Sequence, residues 1–133
     1  MLMKQKRRVM LLYEFAIIRF VPKVEREEFI NVGLLLFCKQ KRELLGEVYL
    51  DENKVSLFSS EVCLEELKEH LDSFVSIAKA LPNSGAIGQM EVSERFRWLA
   101  AVKSSCIQVS RPHPGRADDL EDEFKRLFNQ LIL

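Results

Sequence analysis

The sequence contains few of the residues that mark specialised scaffolds, and each scarcity excludes a class of protein. Its three cysteines, Cys38, Cys63 and Cys106, are far apart and lie among apolar residues, so neither a disulfide framework nor a cysteine metal motif is indicated. We expect them to be buried, reduced thiols. Five glycines and four prolines in 133 residues are too few for a collagen-like or low-complexity chain.

Long hydrophobic runs are also missing, because no apolar stretch approaches the roughly 18 residues that indicate a membrane span. The apolar segment near the start follows a basic run, as in a signal peptide. However, Glu14 interrupts it, Arg19 ends it, and no small-residue cleavage site follows. We therefore interpret this segment as a strand and expect a cytoplasmic protein.

An excess of charge of either sign is absent as well, since 20 acidic residues balance 20 basic ones. This balance removes a general electrostatic reason to bind nucleic acid or an anionic membrane. The distribution is nevertheless uneven, because residues 95–116 carry five bases and no acid. The sequence therefore predicts a basic face on a neutral protein.

The composition that remains is typical of one soluble domain. Hydrophobic residues make up 47% of the chain and charged residues 30%, close to the average for globular proteins. A chain of 133 residues is long enough for a single hydrophobic core. We divide it into a basic N-terminal extension, residues 1–9, and a single α+β domain, residues 10–133.

Three apolar runs, residues 10–20, 32–38 and 44–50, predict three strands, and the polar turn "KQKRE" predicts a hairpin between the last two. The first run is apolar at both alternating positions. This pattern indicates a strand covered on both sides, or one covered on one side with a partner across the other.

The apolar period then changes to three or four residues, which predicts a helix over residues 61–81 with Ser60 as its N-cap. A short helix over 94–102 is predicted to begin after Ser93. Residues 105–110 alternate between apolar and polar side chains and predict a fourth strand.

The segment "RPHPGR" is expected to be irregular, because it holds two prolines and a glycine in six residues. Asp118 and Glu121 have the spacing of a capping box, which predicts the start of a closing amphipathic helix. The predicted order is β-β-β-α-α-β-α. This order indicates a two-layer α+β domain, with a mainly antiparallel four-stranded sheet covered by two main helices and one short helix.

Several segments of the sequence together resemble those of a known family. They are "YEFAIIRFVPKVEREEFINVGLLLFC", "SERFRWL" and "SSCIQVSRPHPGR" followed by "DD". Over residues 12–132 the chain resembles the bacterial domain-of-unknown-function family 3037 (DUF3037). The resemblance implies no activity, because the family has none assigned. The association of some family genes with genes for HipA-like kinases implies a kinase-like protein partner.

Arg19 stands out because it ends an apolar row of the first strand, where an unpaired charge is costly. Glu27 or Glu28 could pair with it across the connection and fix the loop. The alternative is a ligand carboxylate or phosphate. Asn31, at the entry to the second strand, fits a turn as well as a binding site.

Cationic and polar side chains in distant segments suggest a shared basic pocket. Arg95 lies in the first turn of the short helix, where a cation is unfavourable unless an anion is bound nearby. Our leading hypothesis is a non-enzymatic module that binds an anionic group of a nucleotide, a phosphate compound or a partner protein. The proposed binding residues are Arg19, Arg26, Asn31, Arg95, Gln108, Ser110, His113 and Arg116.

The alternative function is a metal-dependent phosphodiesterase or nuclease. Histidine is a common general acid or base, so His113 would be the catalytic residue, with Glu27, Glu28 or Asp119 as carboxylates. Nothing in the spacing fixes their geometry, and the sequence has no P-loop, G-x-S-x-G or H-E-x-x-H motif. We therefore expect no cofactor and no metal site, and nucleic acid has weak support as a partner.

Overall fold

A central sheet with helices on both faces is formed by residues 9–22, 28–58, 64–102 and 106–133, the parts of the chain that the computed structural model describes. The strands are β1 (Leu11–Phe20), β2 (Ile30–Cys38), β3 (Glu43–Val48), β4 (Ile107–Val109) and β5 (His113–Ala117). The helices are α1 (Glu52–Phe58), α2 (Leu64–Ala78), α3 (Gly85–Gly88), α4 (Val92–Ala100) and α5 (Leu120–Leu131). Within these ranges no helix is both long and apolar enough to cross a membrane.

Strand β1 is the centre of the sheet. It pairs antiparallel with β2 along one edge, and β2 pairs antiparallel with β3. Along its other edge β1 pairs first with β5, over Leu11–Phe15, and then with β4, over Ile18–Phe20. The sheet order is β3-β2-β1-β4, with β5 beside the first half of β1.

Both faces of β1 are buried, which explains its apolar residues at both alternating positions. Tyr13 and Ile17 belong to one core cluster together with Leu120, Phe124 and Leu127 of α5. The intervening residues face a second cluster, which α2 and α4 cover. Its members include Ala16, Ile18, Phe20, Leu67, Leu71, Phe74, Phe96 and Leu99.

The predicted α+β class and the mainly antiparallel sheet are confirmed, and the structure adds three details. The sheet has a fifth strand, helices cover both of its faces rather than one, and two short helices, α1 and α3, lie in segments for which no helix was predicted. The sequence did not reveal that helices cover both faces of the sheet. The apolar stripe of a helix shows that the helix packs against the sheet, but it does not show which face of the sheet it covers. Apart from Val9, the predicted N-terminal extension lies outside the described residues.

The prediction that "RPHPGR" is irregular is wrong, since His113–Ala117 forms β5. The backbone N–H and carbonyl of Ile17 both form hydrogen bonds toward the edge of β1 where β4 and β5 lie. The hydrogen bonds to one neighbouring strand come from every second residue, so Phe15 and His113 form a hydrogen-bonded pair, whereas Glu14 and Pro114 form a non-hydrogen-bonded pair. The missing N–H of Pro114 would therefore have pointed away from β1, which is where an edge strand tolerates proline.

Helix ends differ from the predicted caps. Asp119, rather than Asp118, caps α5, and its side chain accepts a hydrogen bond from the backbone N–H of Asp122. Helix α4 starts at Val92 after Glu91, with no side-chain cap. Helix α2 ends at Ala78 instead of residue 81, because the chain enters the left-handed region at Ala80 with φ of 52°. The predicted cap Ser60 lies outside the described residues.

A polar clamp fastens α5 to the sheet through Tyr13. Its hydroxyl donates to Glu123 Oε2 at 2.6 Å, and Glu123 Oε1 accepts from Arg126 Nε at 2.6 Å. The Tyr13 ring crosses Gly115 of β5 so closely that a Cβ there would lie 2.3 Å from Tyr13 Cζ. Gly115 is thus required by this ring.

The clamp shifts the ionisation of both acidic groups. Burial, followed by the hydrogen bond to Glu123, raises the pKa of Tyr13 to about 12. The hydrogen bond from Arg126 lowers the pKa of the Glu123 carboxyl. The stabilisation linked to Tyr13 is therefore complete below its unfolded pKa near 10 and lost as pH rises through its folded pKa. The contribution of Glu123 has the opposite sign, and it is lost in acid as pH falls through the lowered pKa.

We predict that tyrosinate absorbance in a Tyr49→Phe background, where Tyr13 alone reports, titrates with a midpoint near pH 12. Glu123→Gln is expected to move this midpoint towards the ordinary value, because it removes the neighbouring negative charge. The matched control, Glu121→Gln, changes an exposed carboxylate of the same helix and should leave the midpoint in place. Circular dichroism in the same titration monitors the fold. A native-state midpoint near 10 would contradict the clamp.

Candidate functional site

Three of the predicted binding residues form one row across the sheet. In the strand register, Arg19 of β1 lies directly opposite Asn31 of β2 on one side and Gln108 of β4 on the other. Directly opposed residues of an antiparallel pair project from the same face, with their Cβ atoms about 5 Å apart. We call Arg19, Asn31 and Gln108 the Arg19 row.

The row projects on the face that α5 covers. Arg19 shares the alternation of Tyr13 and Ile17, which pack against α5. A register shift between Ile18 and Arg19 makes Val32 an extra residue of β2. Without this bulge, Val32 rather than Asn31 would lie opposite Arg19, so the bulge brings the amide into the row.

Asn31 connects the row to the end of α5. Its Nδ2 donates to the backbone carbonyl of Leu131 at 3.0 Å, in the last turn of the helix. This bond satisfies one of the carbonyls that every helix leaves unpaired at its C-terminus. Asn31 Oδ1 is buried without a hydrogen-bond partner.

Arg19 is half-buried and has no carboxylate partner among the described residues. Its guanidinium carbon lies 4.3 Å from the centre of the Phe29 ring, a cation–π contact. Its Nε is buried without a hydrogen-bond partner. Of the two glutamates predicted as alternatives, Glu28 is exposed and forms no described salt bridge with Arg19, and Glu27 lies outside the described residues.

The two unpaired atoms of the row are complementary. Arg19 Nε is a donor and Asn31 Oδ1 is an acceptor, and the two residues face each other across the β1–β2 pair. The two atoms are not hydrogen-bonded to each other in the structure, so a donor and an acceptor both remain available within the row. Arg19 also makes no side-chain hydrogen bond to another described residue, so its terminal nitrogens remain for another partner.

Sequence reasoning missed Phe29, which is 46% exposed and supports the guanidinium. The signal was present in the spacing. Phe29 stands two residues before Asn31, just before the start of β2, and in an extended chain residues two apart point to the same side. An aromatic residue at this position can stack on an arginine of the neighbouring strand.

His113 and Ser110 lie along the same edge of β1 as Gln108, but they have other contacts. His113 is exposed, and its ring lies 5.2 Å from that of Phe15, four residues and about 13 Å along β1 from Arg19. Ser110 is 5% exposed and takes part in the sheet. Its N–H donates to the Ile17 carbonyl, and its hydroxyl oxygen accepts from the Ile17 N–H, both at 2.8 Å.

The remaining residues do not join the row. Arg95 belongs to α4 on the opposite face, where its Nη1 donates to the Met90 carbonyl at 2.9 Å and its Nε is buried and unpartnered. Arg116 is exposed and lies opposite Leu12 in the strand register. Leu12 alternates with the β1 residues that face α5, so Arg116 belongs to the face covered by α2 and α4. Arg26 lies outside the described residues. The structure therefore brings together Arg19, Asn31 and Gln108, and it separates them from Arg95 and Arg116.

Carboxylates do not gather around His113 in the described part of the chain. Asp119 is engaged as the cap of α5. No group of three His, Cys, Asp or Glu side chains among the described residues is spaced to hold a metal ion. The nuclease alternative stays a prediction that no contact of His113 favours.

A groove of about 650 Å³ lies elsewhere, between β3 and α5. Leu45, Phe124 and Phe128 form its apolar wall. At its rim, Lys79, which follows α2, forms an ion pair with Glu47 at 2.8 Å. Since Lys79 comes from the α2 face and Glu47 stands opposite Leu34 of the α5 face, this pair spans the free edge of β3.

The sequence falls within one described family. A family model, "Protein of unknown function (DUF3037)", matches residues 15–132, nearly the whole chain. The chain belongs to this family. The DUF3037 match includes every residue of the Arg19 row. Comparison with curated proteins found no match, and comparison with solved structures found none either.

We predict that Ser110→Ala lowers the free energy of unfolding by about 1–3 kcal/mol, because it leaves the buried Ile17 N–H without an acceptor. Urea denaturation followed by circular dichroism measures the change. The matched control is Ser73→Ala, where an exposed hydroxyl bonds a carbonyl of its own helix; it should change stability by no more than about 0.5 kcal/mol. Equal effects of the two substitutions would show that the Ser110 hydroxyl does not support the sheet.

Proposed function

We propose that this protein is a binding module that recognises an anionic group through Arg19, with Asn31 and Gln108 on either side. The observation that supports the proposal is a half-buried guanidinium that lies over the Phe29 ring, with no carboxylate partner among the described residues. An unpaired charge in a partly buried place is unfavourable until an anion reaches it.

The energy available is sufficient for ligand recognition. A hydrogen bond to a charged group contributes about 1.5–3 kcal/mol, so two or three such bonds can outweigh the lost hydration of a small anion. An exposed salt bridge contributes only about 0–1 kcal/mol. The partial burial of Arg19 is therefore important, because it separates this arginine from the exposed cations of the surface.

The biological setting of the proposal is a cytoplasmic one with a protein partner. The kinase-like partner is suggested by the family resemblance. The anionic group would then belong to a small molecule or to that partner. We propose no enzymatic step, because the Arg19 row offers hydrogen-bond donors and a fixed charge but no paired nucleophile and base.

We predict that at least one anion from a panel of mononucleotides, sugar phosphates, short oligonucleotides and small carboxylates raises the melting temperature of the protein. A ligand at about 100 times its Kd stabilises the folded state by roughly 2.7 kcal/mol. Arg19→Gln should abolish the shift. Arg97→Gln, which removes an exposed arginine of α4, should retain it.

Two results would refute the proposal. One is the absence of stabilisation by any member of the panel at constant ionic strength. The other is stabilisation that persists unchanged in Arg19→Gln, because the anion would then bind at another place.

A further inference from the structure

We infer that the anionic group recognised at Arg19 is a planar carboxylate rather than a phosphate. This inference rests on the anion-binding function proposed above and narrows its ligand class. Three features of the site support it, namely the charge that the row presents, the way Phe29 holds the guanidinium, and the helix end beside Asn31.

The first feature is the amount of positive charge. Arg19 is the single cation of the row, because Asn31 and Gln108 are neutral amides. Arg95 and Arg116 belong to the other face of the sheet, and in the small pocket beside Asn31 the charge of Lys54 is offset by that of Asp51. The sequence of the adjoining connection, residues 23–28, adds two bases and three acids and thus no positive excess. One charge balances a carboxylate, whereas a phosphate monoester carries about −1.5 to −2 at neutral pH.

The second feature is the orientation of the guanidinium. The guanidinium carbon of Arg19 lies over the Phe29 ring, 4.3 Å from the ring centre, so the ring occupies one side of the group. A hydrogen-bond acceptor must approach the edge of the guanidinium, where the N–H bonds lie in a common plane. Two oxygens in one plane match this fork, and a carboxylate supplies them without reorientation.

The third feature is the helix terminus at the site. Asn31 donates to the Leu131 carbonyl, so the row lies beside the C-terminal end of α5. This end carries a partial negative charge of roughly half a unit, which repels a dianion more strongly than a monoanion such as a carboxylate. Phosphate sites usually have the reverse arrangement, with a helix N-terminus directed at the ligand.

The members of the row thus have separate roles in carboxylate binding. Arg19 supplies the charge and the planar pair of donors. Gln108, directly opposite on β4, has amide N–H groups that can donate to one carboxylate oxygen. Asn31 is a positioning residue, because its Nδ2 is bonded to α5 and it lies opposite Arg19 in the strand register with its Oδ1 unpartnered.

The experiment compares matched probes by NMR titration of the intact protein at constant ionic strength. The probes are benzoate and phenyl phosphate, which share the ring and differ in the anion. The readout is the Nε–H resonance of Arg19, identified by its loss in Arg19→Lys. We expect benzoate to shift this resonance and to bind about tenfold or more tightly than phenyl phosphate, a difference of about 1.4 kcal/mol.

Variants test the planar geometry. Arg19→Lys keeps the charge and removes the fork, so we expect it to weaken benzoate binding about tenfold or more, which corresponds to about 1.4 kcal/mol or more. Arg97→Lys makes the same change on an exposed residue of α4 and should leave the benzoate affinity unchanged. Equal affinity of wild type and Arg19→Lys for benzoate would overturn the inference, because a point charge would suffice.

The outcomes separate the inference from the proposed function. Tighter binding of phenyl phosphate that depends on Arg19 would overturn the carboxylate inference and leave anion binding intact. No Arg19-dependent binding of either probe, or of any anion of the thermal panel, would overturn both.

A carboxylate can belong to a small acid or to a protein, and a further pair of probes distinguishes these sources. A short acetylated peptide with a free C-terminus is compared with the same peptide amidated. Binding of the free peptide alone, more tightly than benzoate, assigns the site to a chain terminus. Binding of benzoate with no preference between the two peptides assigns it to small acids.

Discussion

Strand β1 is hydrogen-bonded along both edges and covered by helices on both faces, and this double enclosure is the constraint on which the rest of the structure depends. Inside such an enclosure each backbone N–H and carbonyl needs a partner, since a buried unsatisfied group costs about 1–3 kcal/mol. Apolar side chains on both faces provide the driving force, and fully burying one large side chain contributes about 1.5–3 kcal/mol. Any irregularity beside β1 therefore has to be compensated locally.

The polar residues around β1 provide these compensations. Between β4 and β5, the Ser110 hydroxyl accepts the hydrogen bond of the Ile17 N–H in place of a backbone carbonyl. Tyr13 reaches Glu123 of α5, and Asn31 reaches the carbonyl of Leu131 at the other end of the same helix. Helix α5 is thus fastened to the sheet near both of its ends by side chains of β1 and β2. Arg19 differs from these residues, because its charge has no counterpart among the described carboxylates.

Local patterns allowed most of the elements to be predicted, because strand and helix periods depend on neighbouring residues. Apolar residues repeat with such a period in the first three strands and in helices α2 and α5. The composition of "RPHPGR" was misleading, since a proline disturbs a strand only when its nitrogen faces a partner. That orientation depends on pairing with β1, which the segment itself does not show.

The candidate site was predicted only in part for the same reason. Arg19 and Asn31 are separated by a short connection, whereas Gln108 joins them through a long-range register that no local signal contains. Arg95 was grouped with them by charge, but the face on which α4 packs is decided by the whole core. Phe29 was overlooked although it stands two residues before Asn31, the spacing of side chains that point to the same side of an extended chain.

The ion pair between Lys79 and Glu47 has a consequence for how copies of the protein meet. A sheet that ends in an uncovered strand can be extended by another chain, and such extension leads to fibrils. An incoming strand at β3 would first have to displace a lysine that reaches over from α2. At the opposite edge of the sheet, Pro114 of β5 has no backbone N–H to donate to such a strand. Charged side chains beside β3 and a proline in β5 are features that disfavour growth of the sheet at these edges, although its central strands are among the most apolar segments of the chain.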